Sequence, residues 1–432
     1  MSTAERFGDY LLLRKLTTDS LGEAYRAGKI GAQGIERVVY LRLFNGAGLD
    51  REALARALAD RAGVHRLLEN PHIGEGAEVG RIGDTPYVAY EYISGKSLAE
   101  LLAETRNRSF PLPVEHALFI TERMTFGLTS AYATRHREQR IQHGFLVPDL
   151  VLLSNEGEVR VLGFEAGPAL RQSLAAEPVR QAYGRCLAPE VTPGSLPASA
   201  EDVFSLGALL YELLTGKPLV APADGNYEPL IDQAMVASDE APLPPSIRAL
   251  LKSSLTRREE RISDVQQWQQ ALSRFIAEGQ YNPTTFNLAF FMHSLFRSEI
   301  ESETREIERE KTEQRTLVLP ATVIAQRPAG GAVLVPPPAT PSAELREARQ
   351  TGTVTAAPAA HYVKARSRKS ALLAAAAVLV VLGGLLVAYL LQRQPASQAV
   401  APQEAASLTA TPAVPLPGAE VAPAATDPTA PA

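Results

Sequence analysis

Three short segments of this 432-residue chain set ionisable side chains among apolar neighbours. In His143-Gly144-Phe145-Leu146-Val147-Pro148-Asp149-Leu150 only His143 and Asp149 exchange protons. A benzyl group at Phe145 accepts no proton, and the aliphatic Val147 and Leu150 neither steady a phosphate nor ligate Mg²⁺. Val39-Tyr40-Leu41-Arg42 supplies a permanent cation able to touch a phosphate. Gly163-Phe164-Glu165 supplies one carboxylate. The seven histidines show no metal-ligand spacing with cysteine or carboxylates, so no metal is expected. The single Cys186 excludes an internal disulfide framework, suits a reducing compartment and reads as a buried free thiol.

The elements that must position these groups follow a recognisable order. The stretch from His143 to Leu153 resembles the catalytic loop of eukaryotic-type protein kinases, H-R-D-L-K-P-x-N-I-L-L. His143, Leu146, Pro148 and the run Val151 to Leu153 keep its shell. Phe145, Val147 and Leu150 stand where the family has its catalytic Asp, its Lys and its metal-binding Asn. Lys15 to Tyr25 is similar to the glycine-rich loop, with Gly22 kept, Thr17 and Asp19 replacing the first two glycines, and Ala24 replacing the valine. Asp19 would repel a polyphosphate. Arg42 occupies the position of the phosphate-holding lysine, and its helix partner falls near Arg61 and Asp60. Tyr40 stands where a small residue packs on adenine, so a phenol is expected to fill that pocket, with Ala24 making room. The hinge strand resembles Pro86 to Ile93, with Tyr90 as gatekeeper and Glu91 and Ile93 at the cleft. Gly163-Phe164-Glu165 takes the place of D-F-G and lacks the Mg²⁺-binding Asp.

The structural signatures of the large lobe are better kept. Ala188-Pro189-Glu190 matches A-P-E, and Asp202 to Pro218 resembles the core helix. The resemblance implies that His143 and Phe164 are core residues and that Asp202 holds the catalytic-loop backbone. It also pairs Arg261 with Glu190. The fold it implies is α+β, a two-lobed kinase-like domain over residues 9–275.

A formal charge of −5 with 21% charged residues leaves no footprint of nucleic-acid binding. Ala371 to Leu391 is an uncharged run of 21 residues, about 31 Å long as a helix and sufficient for one membrane span. Lys364, Arg366, Arg368 and Lys369 precede it, which places the N-terminal domain in the cytoplasm and the tail outside. Residues 316–369 and 392–432 are Pro/Ala-rich and lack the apolar content for a core. Residues 284–315 read as a helical extension that starts at a Thr284 or Thr285 N-cap. Its aromatic half either packs back on the large lobe or serves docking and self-association as a homodimer. Its charged half, with only Ile300 and Ile307 as apolar positions, is expected to project as a solvated stalk.

The leading expectation is a membrane-anchored bacterial pseudokinase that has lost phosphoryl transfer, needs no cofactor and works by binding a cytoplasmic protein such as an active kinase. Two alternatives stand beside it. One is an active Ser/Thr kinase using displaced groups (Asp149, Glu165, Arg42) with ATP and Mg²⁺. The other is an envelope tether in which the Ala/Pro tail matters most.

Overall fold

The computed structural model describes residues 5–317 except Gln33 and Gln280. The expected span at 371–391, the linker beyond Leu317 and the tail at 392–432 lie outside the described residues. Among the described residues no helix is long and apolar enough to cross a membrane.

The small lobe is a six-stranded antiparallel sheet. Its strands are β1 (Glu5–Phe7), β2 (Tyr10–Asp19), β3 (Gly22–Gly31), β4 (Gly34–Leu43), β5 (Glu78–Ile82) and β6 (Thr85–Glu91), in the order β1-β2-β3-β4-β6-β5. Strand alternation decides what each residue of β4 faces. Val39, Leu41 and Leu43 close one apolar cluster with Tyr10, Tyr25, Ala27 and Ala89. Tyr40 and Arg42 therefore point to the other face, toward the large lobe. Helix α1 (Arg51–Asp60) follows, capped by the Asp50 side chain accepting from the Ala53 N–H at 2.9 Å.

The large lobe is mainly helical. Strand β7 (Gly95–Ser97) leads to α2 (Leu98–Asn107), opened by a Ser97–Glu100 capping box. The long α3 (Val114–Ala133) and the small hairpin β8 (Arg135–His136) and β9 (Gln139–Arg140) come next. Strands β10 (Val151–Ser154) and β11 (Val159–Val161) pair beside β7. Two short helices, α4 (Gly167–Leu170) and α5 (Glu177–Tyr183), occupy the segment before Cys186. Helix α6 (Ser199–Thr215) is buried almost all round, as its apolar content requires, and ends at Gly216 in the left-handed conformation. Helices α7 (Glu228–Asp232), α8 (Pro245–Ser254) and α9 (Val265–Glu278) complete the lobe.

The extension forms two helices, α10 (Thr285–Leu295) and α11 (Arg297–Leu317), broken at Phe296. Thr284 caps α10 by accepting from the Asn287 N–H at 3.1 Å. Leu288, Phe291, Met292 and Leu295 are buried, each contributing about 1.5–3 kcal/mol of apolar burial. Phe291 stacks on Phe110 at 5.3 Å, so the aromatic half packs on the large lobe, while Phe286 and Phe290 stay exposed. The expectation of a solvated stalk is corrected. Glu303, Glu306 and Glu310 of α11 reach Arg26 in β3, and Glu306 also pairs with Arg14 in β2 at 2.9 Å. The widely spaced isoleucines concealed an acidic stripe that binds the small lobe.

Candidate functional site: a self-occupied cleft

The β2–β3 hairpin folds down onto the end of β4. Gly22 adopts φ +134°, and a Cβ there would lie 2.5 Å from the Leu43 carbonyl oxygen. No other residue fits this approach. Leu21 at the tip is fully buried in the main core with Tyr40 and Phe44, and its carbonyl accepts from the Gly46 N–H at 3.1 Å. The surviving glycine is thus spent on closing the loop.

Asp19 holds this closure. Its Oδ1 accepts from the Leu21 N–H at 2.8 Å and forms an ion pair with Arg42. Both side chains are nearly buried. Burial works against the Arg42 charge, and Asp19 beside it more than offsets this and raises the guanidinium pKa. Arg61, at the end of α1, does not reach Arg42. It donates to the Phe164 carbonyl oxygen from Nε at 3.2 Å and from Nη2 at 2.8 Å. Sequence reasoning placed Asp19 as a source of repulsion and missed it as the counterion of Arg42. The signal was an acid in the loop combined with a missing acid in the helix.

Asp149 meets the same cluster from below. It lies against Asp19, Arg42 and the Tyr183 hydroxyl of α5. Burial, followed by the neighbouring Asp19 carboxylate, pushes its pKa up to about 7. Glycine-rich loop, β4, catalytic loop and α5 therefore converge on one knot of four polar side chains. Tyr183 also meets Phe145 edge-on at 5.8 Å, and Phe145 is fully buried.

Tyr40 is buried on the floor of the small lobe, and burial raises its phenol to about 12. Together with Leu16, Ile93, Leu152, Lys96 and Ile300 it lines a cavity of about 30 Å³, room for one or two water molecules. Glu299, Ile300 and Glu303 of α11 close its outer side. Tyr90 seals the back: its hydroxyl accepts from the Gly163 N–H at 2.9 Å and donates to Glu165 at 3.0 Å. Burial raises the Glu165 carboxyl above its ordinary range. Glu91 is exposed and its N–H donates to the Glu75 carbonyl at 2.9 Å.

Gly163 has φ +93°, and a Cβ there would sit 3.0 Å from Leu150 Cδ1. Leu150 and Val147 are buried in the core. No cluster of three or more metal-ligating side chains occurs among the described residues.

The framework around the cleft is held by buried polar side chains. His143 Nε2 donates to the Leu162 carbonyl at 2.7 Å, Nδ1 accepts from the Phe145 N–H at 3.2 Å, and the ring meets Phe164 edge-on at 5.0 Å. Burial lowers its pKa to about 4, so it is neutral. Asp202 accepts from the Gly144 N–H at 3.0 Å and from the Tyr132 hydroxyl, with burial raising its pKa to about 6. Glu190 and Arg261 meet at 2.6 Å and 3.2 Å. Arg171 and Glu201, unremarked in the sequence, form a second buried pair at 2.7 Å that also touches the Gly144 carbonyl at 3.4 Å. Cys186 is buried, and burial lifts its thiol to about 12.

Known proteins resemble this chain over most of the two-lobed span. The protein kinase domain model matches residues 50–275, more than half of the chain, and its match begins after Arg42. Tyrosine-protein kinase MasK of Myxococcus xanthus is 25% identical over 306 residues, covering 68% of this chain and 47% of that protein. Serine/threonine-protein kinase PrkC of Bacillus subtilis is 29% identical over 221 residues, covering 51% and 32%. The chain thus spans about half or less of the length of these two relatives. The crystal structure of the Mycobacterium tuberculosis PknI kinase domain aligns with a TM-score of 0.49 at 20% identity, covering 64% of this chain and 99% of that one. The two lobes, the anchored loop and the matched span place the chain in the protein kinase domain family, among relatives of bacterial Ser/Thr kinases.

Proposed function

We propose that the chain is a pseudokinase, tethered to the cell membrane by residues 371–391, that acts by presenting its lobes to a cytoplasmic protein partner such as an active kinase. The observation that carries this reading is the composition of the cleft. Where the family has its base and two metal ligands stand Phe145, Leu150 and Gly163, and the phosphate-holding position, Arg42, is already neutralised by Asp19. Phosphoryl transfer depends on positioning and on charge stabilisation of the moving phosphoryl group. This cleft offers an apolar floor and a cation that is already paired. A surface that binds protein has no need of either lost function.

The test is transfer of labelled phosphate by the purified full chain, with Mg²⁺ or Mn²⁺, to itself and to generic protein acceptors. The expected result is no incorporation above a blank without protein. Incorporation that Arg42→Ala abolishes would overturn the proposal. A second reading, an active Ser/Thr or Tyr kinase with displaced groups, draws support from two observations. Burial and the Asp19 carboxylate push the Asp149 pKa up, toward the range suited to a general base. Arg42 Nε and Nη1 have no hydrogen-bond partner, a capacity that a phosphate could fill. On that reading Asp149→Asn abolishes incorporation.

A further inference from the structure

The helix pair α10–α11 runs from the large lobe to the small lobe across the hinge. Its base is fixed on the large lobe by Leu288, Phe291 and Met292, and the His116 Nε2–H donates to the Asn287 carbonyl at 3.0 Å. Phe296, at the break, lies under Lys96, whose ammonium is 5.5 Å from the ring centroid. Glu299 then comes within 3.8 Å of Arg108, which caps the C-terminus of α2, and Ile300 packs against the main core beside Tyr40 and Leu152.

One turn further, Glu303 takes hold of the hinge itself. It accepts from the Tyr92 hydroxyl, and from Ser94 Oγ at 2.7 Å. Ser94 Oγ in turn accepts from Asn155 Nδ2 of the large lobe at 2.9 Å. Beyond the hinge, Arg26 is only 1% exposed, and among the described residues every carboxylate that forms an ion pair with it belongs to α11. Glu299, Glu303, Glu306 and Glu310 recur at spacings of three and four, which places them on one helix face. The stripe is matched to the groove.

From this geometry we infer that α11 is a releasable strap, fixing the two lobes to each other and closing the outer mouth of the cleft. Release follows from how it is held. Buried ion pairs roughly break even against their desolvation, and the charged half of the strap contributes little apolar burial beyond Ile300. A segment with few apolar contacts opens at a lower free energy than the core it covers. Lifting α11 uncovers Arg26, frees Tyr92 and Ser94, and removes Ile300 and Glu303 from the cavity wall. The inference holds whether or not the cleft transfers phosphate.

Amide hydrogen exchange on the full chain tests it, in the Ile300→Asp and Glu303→Arg variants and in the double variant Arg26→Glu/Glu303→Arg. Exchange in residues 299–310 should quicken about tenfold or more in both single variants, as expected for local opening. The same variants should show a matching increase in hinge residues 91–95 and in β2 residues 14–17. Residues 200–214 of α6 should stay protected, which reports that the variants fold; should Ile300→Asp lose that protection, Glu303→Arg decides by the same readouts. The double variant should recover part of the hinge protection. If α11 exchanges faster while hinge and β2 are unchanged, α11 is only an appendage and the inference fails. Unchanged exchange in α11 itself also overturns it.

Discussion

Glu190 and Arg261 in the large lobe, and Asp19 and Arg42 in the cleft, are both ion pairs built on a buried arginine. Arg261 adds bonds to the Thr256 and Ala200 carbonyls at 2.8 Å and 3.1 Å, so its guanidinium is shared among three segments of the lobe. Arg42 has two nitrogens, Nε and Nη1, without a partner, and its counterion comes from the loop that would otherwise cover a phosphate. The large lobe keeps the pairs that hold a chain together. The cleft has turned Arg42 inward, onto Asp19. Asp202 and His143 hold the catalytic loop in place although the loop carries Phe145 and Leu150.

The comparison is tested most severely at Arg261. Replacing it by alanine leaves Glu190 and two carbonyls without their donor, and should cost about 3 kcal/mol, the lower end for a broken buried pair because Glu190 keeps some water access. The melting temperature should fall by about 6–12 °C for a domain of this size. A fall of under about 2 °C would show that the large-lobe anchor is no stronger than a surface ion pair.

Gly163→Asp, the change that restores the family's metal-binding residue, should also destabilise. A side chain at φ +93°, with Leu150 Cδ1 3.0 Å from its Cβ, carries about 1–3 kcal/mol of strain. Thermal melting of this variant without loss of stability would mean that the segment moves freely and that the family conformation is still within reach.

A smaller, pH-dependent effect belongs to Asp149. Its folded pKa lies near 7, above the ordinary carboxylate value of 3.8, because of burial and then the Asp19 charge. The folded state therefore binds more protons than the unfolded chain between those values. Its contribution to stability is present below pH about 3.8 and is lost as pH rises through about 7. Asp149→Asn removes that loss, so the melting temperature of the variant relative to the parent should climb from pH 4 to pH 7. A flat difference would show that Asp149 is not enclosed with Asp19.

Much of this was legible in the sequence for a definite reason. Pairs such as Glu190–Arg261 and Asp202–Gly144 rest on residue types whose positions fix the loop, so the order of segments points to the fold. Tyr40 was readable as a filler because a phenol on the cleft face of β4 has nowhere else to go. The partner of Arg42 was not readable, because Asp19 reaches it only when the hairpin tip collapses, and that depends on Gly22 meeting Leu43 and on Leu21 finding the core. The role of α11 was missed for a different reason. Reading its isoleucines as the determinant of burial overlooked that a stripe of glutamates is equally specific when the opposing groove carries Arg14 and Arg26. The Arg171–Glu201 pair depends on the path of the segment around α4 and gives no local signal.

Whether the chain's own side chains fill the cleft is measured most directly by the melting temperature of the full chain titrated with ATP, with and without Mg²⁺. A ligand at a hundred times its dissociation constant adds about 2.7 kcal/mol, or about 5–10 °C for a domain of this size. The expected shift is below about 1 °C at millimolar ATP, unaffected by Mg²⁺, because Tyr40 and Leu21 fill the space and Asp19 already neutralises Arg42. A saturable rise of several degrees in the unmodified protein would contradict it.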